Sequence, residues 1–455
     1  MLTTLKNAFK VKELRNRVLF VLGMLVVIRI GSQLPAPGIN SEYFKEWFNN
    51  ALGDSFGFFD AITGGSFSQM AVLALGINPY ITSSIIMQLM TIAIPKLEEM
   101  QNDGEDGRKK IASITRYVTV ILALIQSIAM VISFGASQNV MRVGIGEKGF
   151  VFQAMIMVAG LTAGSAFLMW IGERITEKGI GNGISIVLVI NIVSRMPDDI
   201  ANLFKKFVIE NERAANAPAI RILAALVIVA VIVGMVLLVV YLNDATRKIP
   251  VQYAKKMQGR KMVGGQTSNI PLKVNTAGVI PVIFASSIMQ LPLLIYTFIA
   301  NRKGASAPAS GVGGFVYKCL KSDNWCNPSV GWQYSLGLLV YVLLIVFFAY
   351  FYTSITFNPM MIADNMKKQG GFIPGIRPGK PTSDYLTKVL NYVIFIGAVG
   401  LTIVSVIPYV FNGLFQASVS FGGTSLIIVV SVILETLKQA ESMMLVRNYK
   451  GFLQE

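Results

Sequence analysis

"FFDAITGGSFSQM" (residues 58–70) and, directly behind it, "AVLALGINPYITSSIIMQLMTIAI" (71–94) decide how this chain is read. The second stretch carries no charge and is long enough to cross a bilayer, which takes about 20 mostly apolar residues per helix. The first is too short to cross and is split by Gly64 and Gly65. Lipid offers no partner to bare backbone, so a half-span survives at membrane depth only inside a protein or a cavity.

The rest of the chain repeats the longer pattern. Of its 455 residues, 53% are hydrophobic and 14% charged, against roughly 25% charged in a soluble domain. Apolar runs fall at 18–35, 71–94, 117–136, 151–172, 183–203, 219–241, 275–297, 333–354, 388–410 and 421–440. They are continuous, whereas barrel strands are about ten residues long and alternate. The expectation is an all-α polytopic membrane protein with ten transmembrane helices.

The net charge of +16 is unevenly placed. About two thirds of the 40 lysines and arginines lie in segments 1–17, 95–116, 173–182, 242–274, 355–388 and the tail after 437, all on one side of the ten spans. Short basic loops stay cytoplasmic, which puts both termini in the cytoplasm. The charge serves as a topology signal and can also meet an anionic partner. The N-terminal run resembles a signal sequence but is followed by "GSQLPAPGIN", a turn without a small-residue cleavage site, so it is read as a retained span.

Ten spans divide into an N-terminal half (1–203) and a C-terminal half (219–455). Five is odd, so the halves enter from opposite sides, the topology of an inverted repeat. Two long basic loops, 242–274 and 355–388, read as ordered docking surfaces: "KIPVQYAKK" has strand character, and "PGIRPG" fixes a tight turn. Cys319 and Cys326 share the segment after the seventh span, where they are either paired or free thiols. Trp47, Trp170, Trp325 and Trp332 are placed at the membrane interfaces.

Enzyme readings find little support. The chain has no histidine, hence no H-E-x-x-H metal site and no Ser-His pair. "GIGNG" (179–183) follows no strand and is not a nucleotide loop; it opens the fifth span, where glycines permit close packing or a bend. No cofactor is expected. An inverted-repeat secondary solute transporter is the alternative function, but such proteins carry ionisable residues mid-membrane, and here the spans are nearly uncharged. Arg29 and Arg195 are the exceptions singled out, with Glu435 near the cytoplasmic end of the tenth span. Gln88, Gln126 and Asn275 are polar but neutral and suggest a hydrogen-bonded seam between helices.

Five stretches, "ALGINPYITSSIIMQL", "GERITEKGIGNGISI", "PLKVNTAGVIPVIFASSI", "FNPMMIADNMKKQGGFIPGIRPG" and "FGGTSLIIVVSVILET", resemble the SecY family, in the family's order. The resemblance implies a protein-conducting channel that translocates unfolded preproteins across the inner membrane and releases transmembrane helices sideways into lipid. Its pore is hourglass-shaped. It implies that the half-span is a short helical plug at about 58–69, with Phe59, Asp60, Ile62, Gly64, Gly65, Ser66 and Phe67. It places Ile77, Ile81, Ile184, Leu188, Ile283 and Ile428 on a pore ring, and Gln88, Gln126 and Asn275 at a lateral gate. Arg247, Lys248, Lys255 and Arg377 match the family's docking positions for the ribosome and the motor ATPase SecA. Small SecE-type and SecG-type membrane subunits, signal sequences and preproteins complete the implied partners.

Overall fold

The computed structural model describes residues 11–51, 60, 62–135, 141, 149–205, 208, 218–253, 256–258, 261–263, 267–302, 312–328, 331–415 and 423–451. Each predicted span overlaps a helix, the seventh beginning at Ile280 after a turn at 275–279. The helices are α1 (Lys12–Gln33), α2 (Asn78–Ala93), α3 (Glu105–Gly135), α4 (Phe150–Lys178), α5 (Gly183–Phe204), α6 (Pro218–Asp244), α7 (Ile280–Arg302), α8 (Leu336–Thr356), α9 (Lys380–Phe415) and α10 (Gly423–Gly451). Among the described residues five of them, α3, α4, α6, α8 and α9, are apolar and long enough to cross a membrane on length and composition alone. A sixth candidate is α2 with Pro95–Gln101, bent by 106° at the break. The break has a local cause: Ile94, which precedes a proline, is extended, as the proline ring demands of its neighbour. The shortest of the other four has 22 residues, about 33 Å of helix at 1.5 Å per residue.

The second predicted span is corrected at its start. Residues 71–77 are not helical but a chain of tight turns. Val72 N–H donates to the Leu34 carbonyl at 2.8 Å and Ala36 N–H to the Met70 carbonyl at 2.9 Å, tying these turns to the chain leaving α1. Gly76, at φ +59°, ends the turns, and Pro79 opens α2 in its first turn, where a missing N–H costs nothing.

The two sets of five helices pack in the same pattern. In the first, α1 lies on α4 and α5, α2 on α3, α3 on α4, and α4 on α5. In the second, α6 lies on α9 and α10, α7 on α8, α8 on α9, and α9 on α10. The main contacts between the sets are α5 with α10 and α3 with α7.

At the end that carries the basic loops, both predicted docking loops fold into one body. Strand β1 (Thr246–Tyr253) pairs antiparallel with β2 (Thr267–Lys273), from Thr246 opposite Lys273 to Gln252 opposite Thr267. Its other edge pairs with β3 (Gly371–Phe372) from the second loop. Ile249, Val251 and Leu272 of the sheet bury with Met366, Ile373 and Leu386. At the opposite end Trp325 is buried, 2% exposed, against Tyr341 and Tyr409, not interfacial as its sequence position suggested. Its indole N–H donates to the Cys319 carbonyl at 2.7 Å, and that bond draws it inward. Trp170 and Trp332 are exposed.

Candidate functional site

The predicted ring is best followed from the fifth helix. Asn182 caps α5 by accepting from the N–H groups of Ile184 and Ser185. A Cβ on Gly183 would lie 1.9 Å from the Gly172 carbonyl oxygen of α4, so only glycine lets the two helices meet here. That contact fixes the rotation of α5 and sends Ile184 and Leu188, one turn apart, to a common face.

All six predicted ring residues fall in one apolar cluster. Ile77, Leu188 and Ile428 are buried in it, and Ile81, Ile184 and Ile283 pack half-buried against it. They come from the turn before α2 and from α2, α5, α7 and α10. Val429 and Val432 of α10 and Val187 and Ile192 of α5 share the cluster; the sequence, with valine and isoleucine everywhere in these helices, gave no means of choosing among them.

Ile62 of the predicted plug joins the same cluster. Only the start of the segment is helical, at Asp60, Ile62 and Thr63; residues 64–70 are consecutive turns, with Gly64 at φ +69° and Gly65 at φ +83°. Two adjacent left-handed residues end any helix. Phe59 lies outside the described residues. Phe67 buries in a second cluster with Phe44, Phe48, Ala123 and Met130 of α3, and Leu293 of α7. The segment thus reaches from the cluster that holds the predicted ring residues to a second one at the end opposite the basic loops. Ser66 is buried with its hydroxyl unpartnered among the described residues, and Ser68 Oγ donates to the Gly65 carbonyl at 3.1 Å. These serines are packed away, not lining a wet funnel.

Polar contacts hold the segment in place. The Asp60 carboxylate is buried, ion-paired with Arg195 of α5, and accepts the Ser68 N–H at 2.8 Å. Arg29 of α1 donates to the Gly64 carbonyl at 3.1 Å. The sequence singled out Arg29, Arg195 and Asp60 separately; nothing in the linear order joins positions 60 and 195.

Among the described residues no hydrogen bond links the three predicted seam residues to one another. Gln88 donates to Ser84 of its own helix at 3.4 Å, and Gln126 is half-buried on α3. Asn275 lies before α7, in a turn that includes Gly278 at φ +63°. It donates to Asn243 of α6 at 2.7 Å, and Asn243 donates to Ser431 of α10 at 2.7 Å. The turn aims Asn275 back into its own set of five helices.

Arg247 and Lys248 stand exposed on β1, and Arg377 stands exposed in its turn, whose carbonyl accepts from Thr382 Oγ1 at 2.9 Å. Lys255 lies outside the described residues. Cys319 is buried and Cys326 half-buried, both as free thiols; burial pushes the Cys319 thiol pKa up.

A family model described as SecY matches residues 71–437. The chain is 42% identical to the protein translocase subunit SecY of Streptomyces coelicolor over the full length of both. Two solved structures share the fold. One is a SecY protein whose plug domain is described as stabilising the closed state of the translocation channel and maintaining a membrane seal; it covers 94% of this chain and 91% of its own, at 18% identity and a TM-score of 0.59. The other is Sec61 in the canine ribosome-channel complex, covering 94% and 91% at 16% identity and a TM-score of 0.57. With a full-length relative at this identity, and with the family model spanning α2 to α10, the chain belongs to the SecY family.

Proposed function

We propose that this chain is the channel subunit of a protein translocase, passing unfolded polypeptide through the aliphatic cluster and releasing apolar helices between α3 and α7. One observation carries the reading: six aliphatic side chains from five elements fall in one cluster, which Ile62 also joins. A pore that admits any sequence yet refuses ions cannot be lined with charge. Flexible aliphatic side chains yield around a passing chain and close to a dry throat, where dewetting opposes ions. The transporter alternative requires a charged solute site at mid-membrane, but Arg29 and Arg195 are both committed to the plug.

The repeated packing pattern of α1–α5 and α6–α10 supports an inverted repeat with the throat between its halves. The channel has no chemistry of its own, so the work comes from a partner on the basic face. Arg247 and Lys248 on β1 and Arg377 just past β3 are exposed on the body that the two loops build together, basic charge suited to ribosomal RNA phosphates and to a SecA-type motor. On this reading the basic loops and both termini face the cytoplasm and the chain sits in the cytoplasmic membrane. SecE-type and SecG-type helical subunits are its expected companions.

The test is a photo-crosslinking residue at Ile283, with a polypeptide stalled in transit. A crosslink to the stalled chain is expected there, and none from a lipid-facing position such as Val151. If Ile283 never captures the chain while secretion proceeds, the throat lies elsewhere.

A further inference from the structure

We propose that Arg195 and Arg29 form an ionic latch on the plug, Arg195 through the Asp60 carboxylate and Arg29 through the Gly64 carbonyl. The latch sets how hard the channel is to open. The inference rests on the plug reading above and adds to it residues that no part of the aliphatic throat supplies.

Arginine within a membrane-length helix is costly, so it faces the interior and finds a partner. Arg29 and Arg195 stand on different helices of the same half, and both reach one short segment. On one side, Arg195 of α5 meets the buried Asp60 carboxylate. The other carboxylate oxygen accepts the Ser68 N–H at 2.8 Å, and the Asp60 carbonyl accepts the Gly65 N–H at 2.9 Å. The acid is therefore built into the turn that it helps to close. On the other side, Arg29 donates to the Gly64 carbonyl at 3.1 Å. A Cβ on Gly64 would stand 3.0 Å from both Arg29 Nη1 and the Asn191 backbone of α5, so the segment is wedged between α1 and α5.

The apolar contacts of Ile62 and Phe67 cannot provide this control alone. Burial of apolar surface is non-directional and roughly proportional to area, so a plug held only by it loosens by degrees. A buried ion pair behaves differently: removing one partner strands a charge, at a cost much larger than the worth of the pair. The plug therefore stays seated until a displacing helix or chain breaks pair and turn together.

The test uses the full chain with the membrane subunits that copurify with it, in planar bilayers. Asp60→Asn keeps the shape and the Ser68 bond and removes the charge; Arg195→Gln removes the partner. Each should raise basal ion conductance about tenfold, equivalent to about 1.4 kcal/mol. The double variant should leak no more than the leakier single. Arg195→Lys, which keeps the positive charge opposite the Asp60 carboxylate, should conduct close to the unaltered channel. In a channel lacking residues 60–68, Arg195→Gln should change nothing. Asp60→Asn that conducts like the unaltered channel, singles whose effects multiply, or Arg195→Lys that leaks like Arg195→Gln overturns the latch. If the deletion itself does not leak, the plug reading falls with it; if only the point variants are silent, the plug stands and the latch does not.

Discussion

Gly64 shows how much one backbone position carries here. Its φ of +69° belongs to the left-handed region, which costs a residue with a side chain about 1–2 kcal/mol. A methyl group at that position also crowds Arg29 and Asn191. Gly104 offers an internal control, because its φ is +78° but no atom lies within 4 Å of its would-be Cβ. Gly64→Ala should therefore unseat the plug and raise ion leak by a factor of about 5–30, the equivalent of 1–2 kcal/mol. Gly104→Ala pays the conformational cost in an open turn away from the plug and should leave leak unchanged. Equal leak from both, measured as bilayer conductance, would mean that the close approach at Gly64 does not matter. The glycine pair invites reading as a loose hinge, but the structure makes Gly64 a tight fit.

Helices were legible in the sequence because membrane-length apolar runs leave little choice, and all ten are found. Residues 71–77 were not, since turns made of apolar residues have the composition of a helix; what holds them in turns is a bond to Leu34 on the chain leaving α1. The strand at 246–253 was foreseen from its own residues, but its union with Gly371–Phe372 depends on a pairing across more than a hundred positions. Ring residues were named by family resemblance, and their shared cluster is a tertiary fact that periodicity cannot supply. The fused sheet also shapes a prediction. Arg377 is exposed and its side chain has no ion pair among the described residues, so Arg377→Glu should leave stability within about 0.5 kcal/mol of the original. It should sharply weaken docking of the cytoplasmic partner and slow secretion, more so at low salt, where charge reversal is least screened. Normal secretion at low salt with the Glu variant would remove Arg377 from the docking surface.

A pore that must open sideways needs one seam that parts and one that holds. The α5–α10 seam contains buried ring residues from both halves, Leu188 and Ile428, and beside them Met196 of α5 packs with Leu426 of α10. Parting it would tear the throat itself. The α3–α7 seam instead joins Ala123 and Met130 to Leu293, and lipid tails can take the place of these apolar contacts at little cost, because lipid is as apolar as the partner helix. On the proposed reading the second seam is the one that opens towards the bilayer and leaves the ring able to reclose. A cleavable bismaleimide bridge between Met130→Cys and Leu293→Cys, in a chain with Cys319 and Cys326 replaced by serine, should block insertion of membrane helices, and cleavage should restore it. The same bridge between Met196→Cys and Leu426→Cys should leave insertion intact. Insertion that proceeds through the bridged α3–α7 seam, or fails at the bridged α5–α10 seam, would exchange the roles of gate and hinge, and the plug would then have to leave along a path bounded by the helix that carries Arg195.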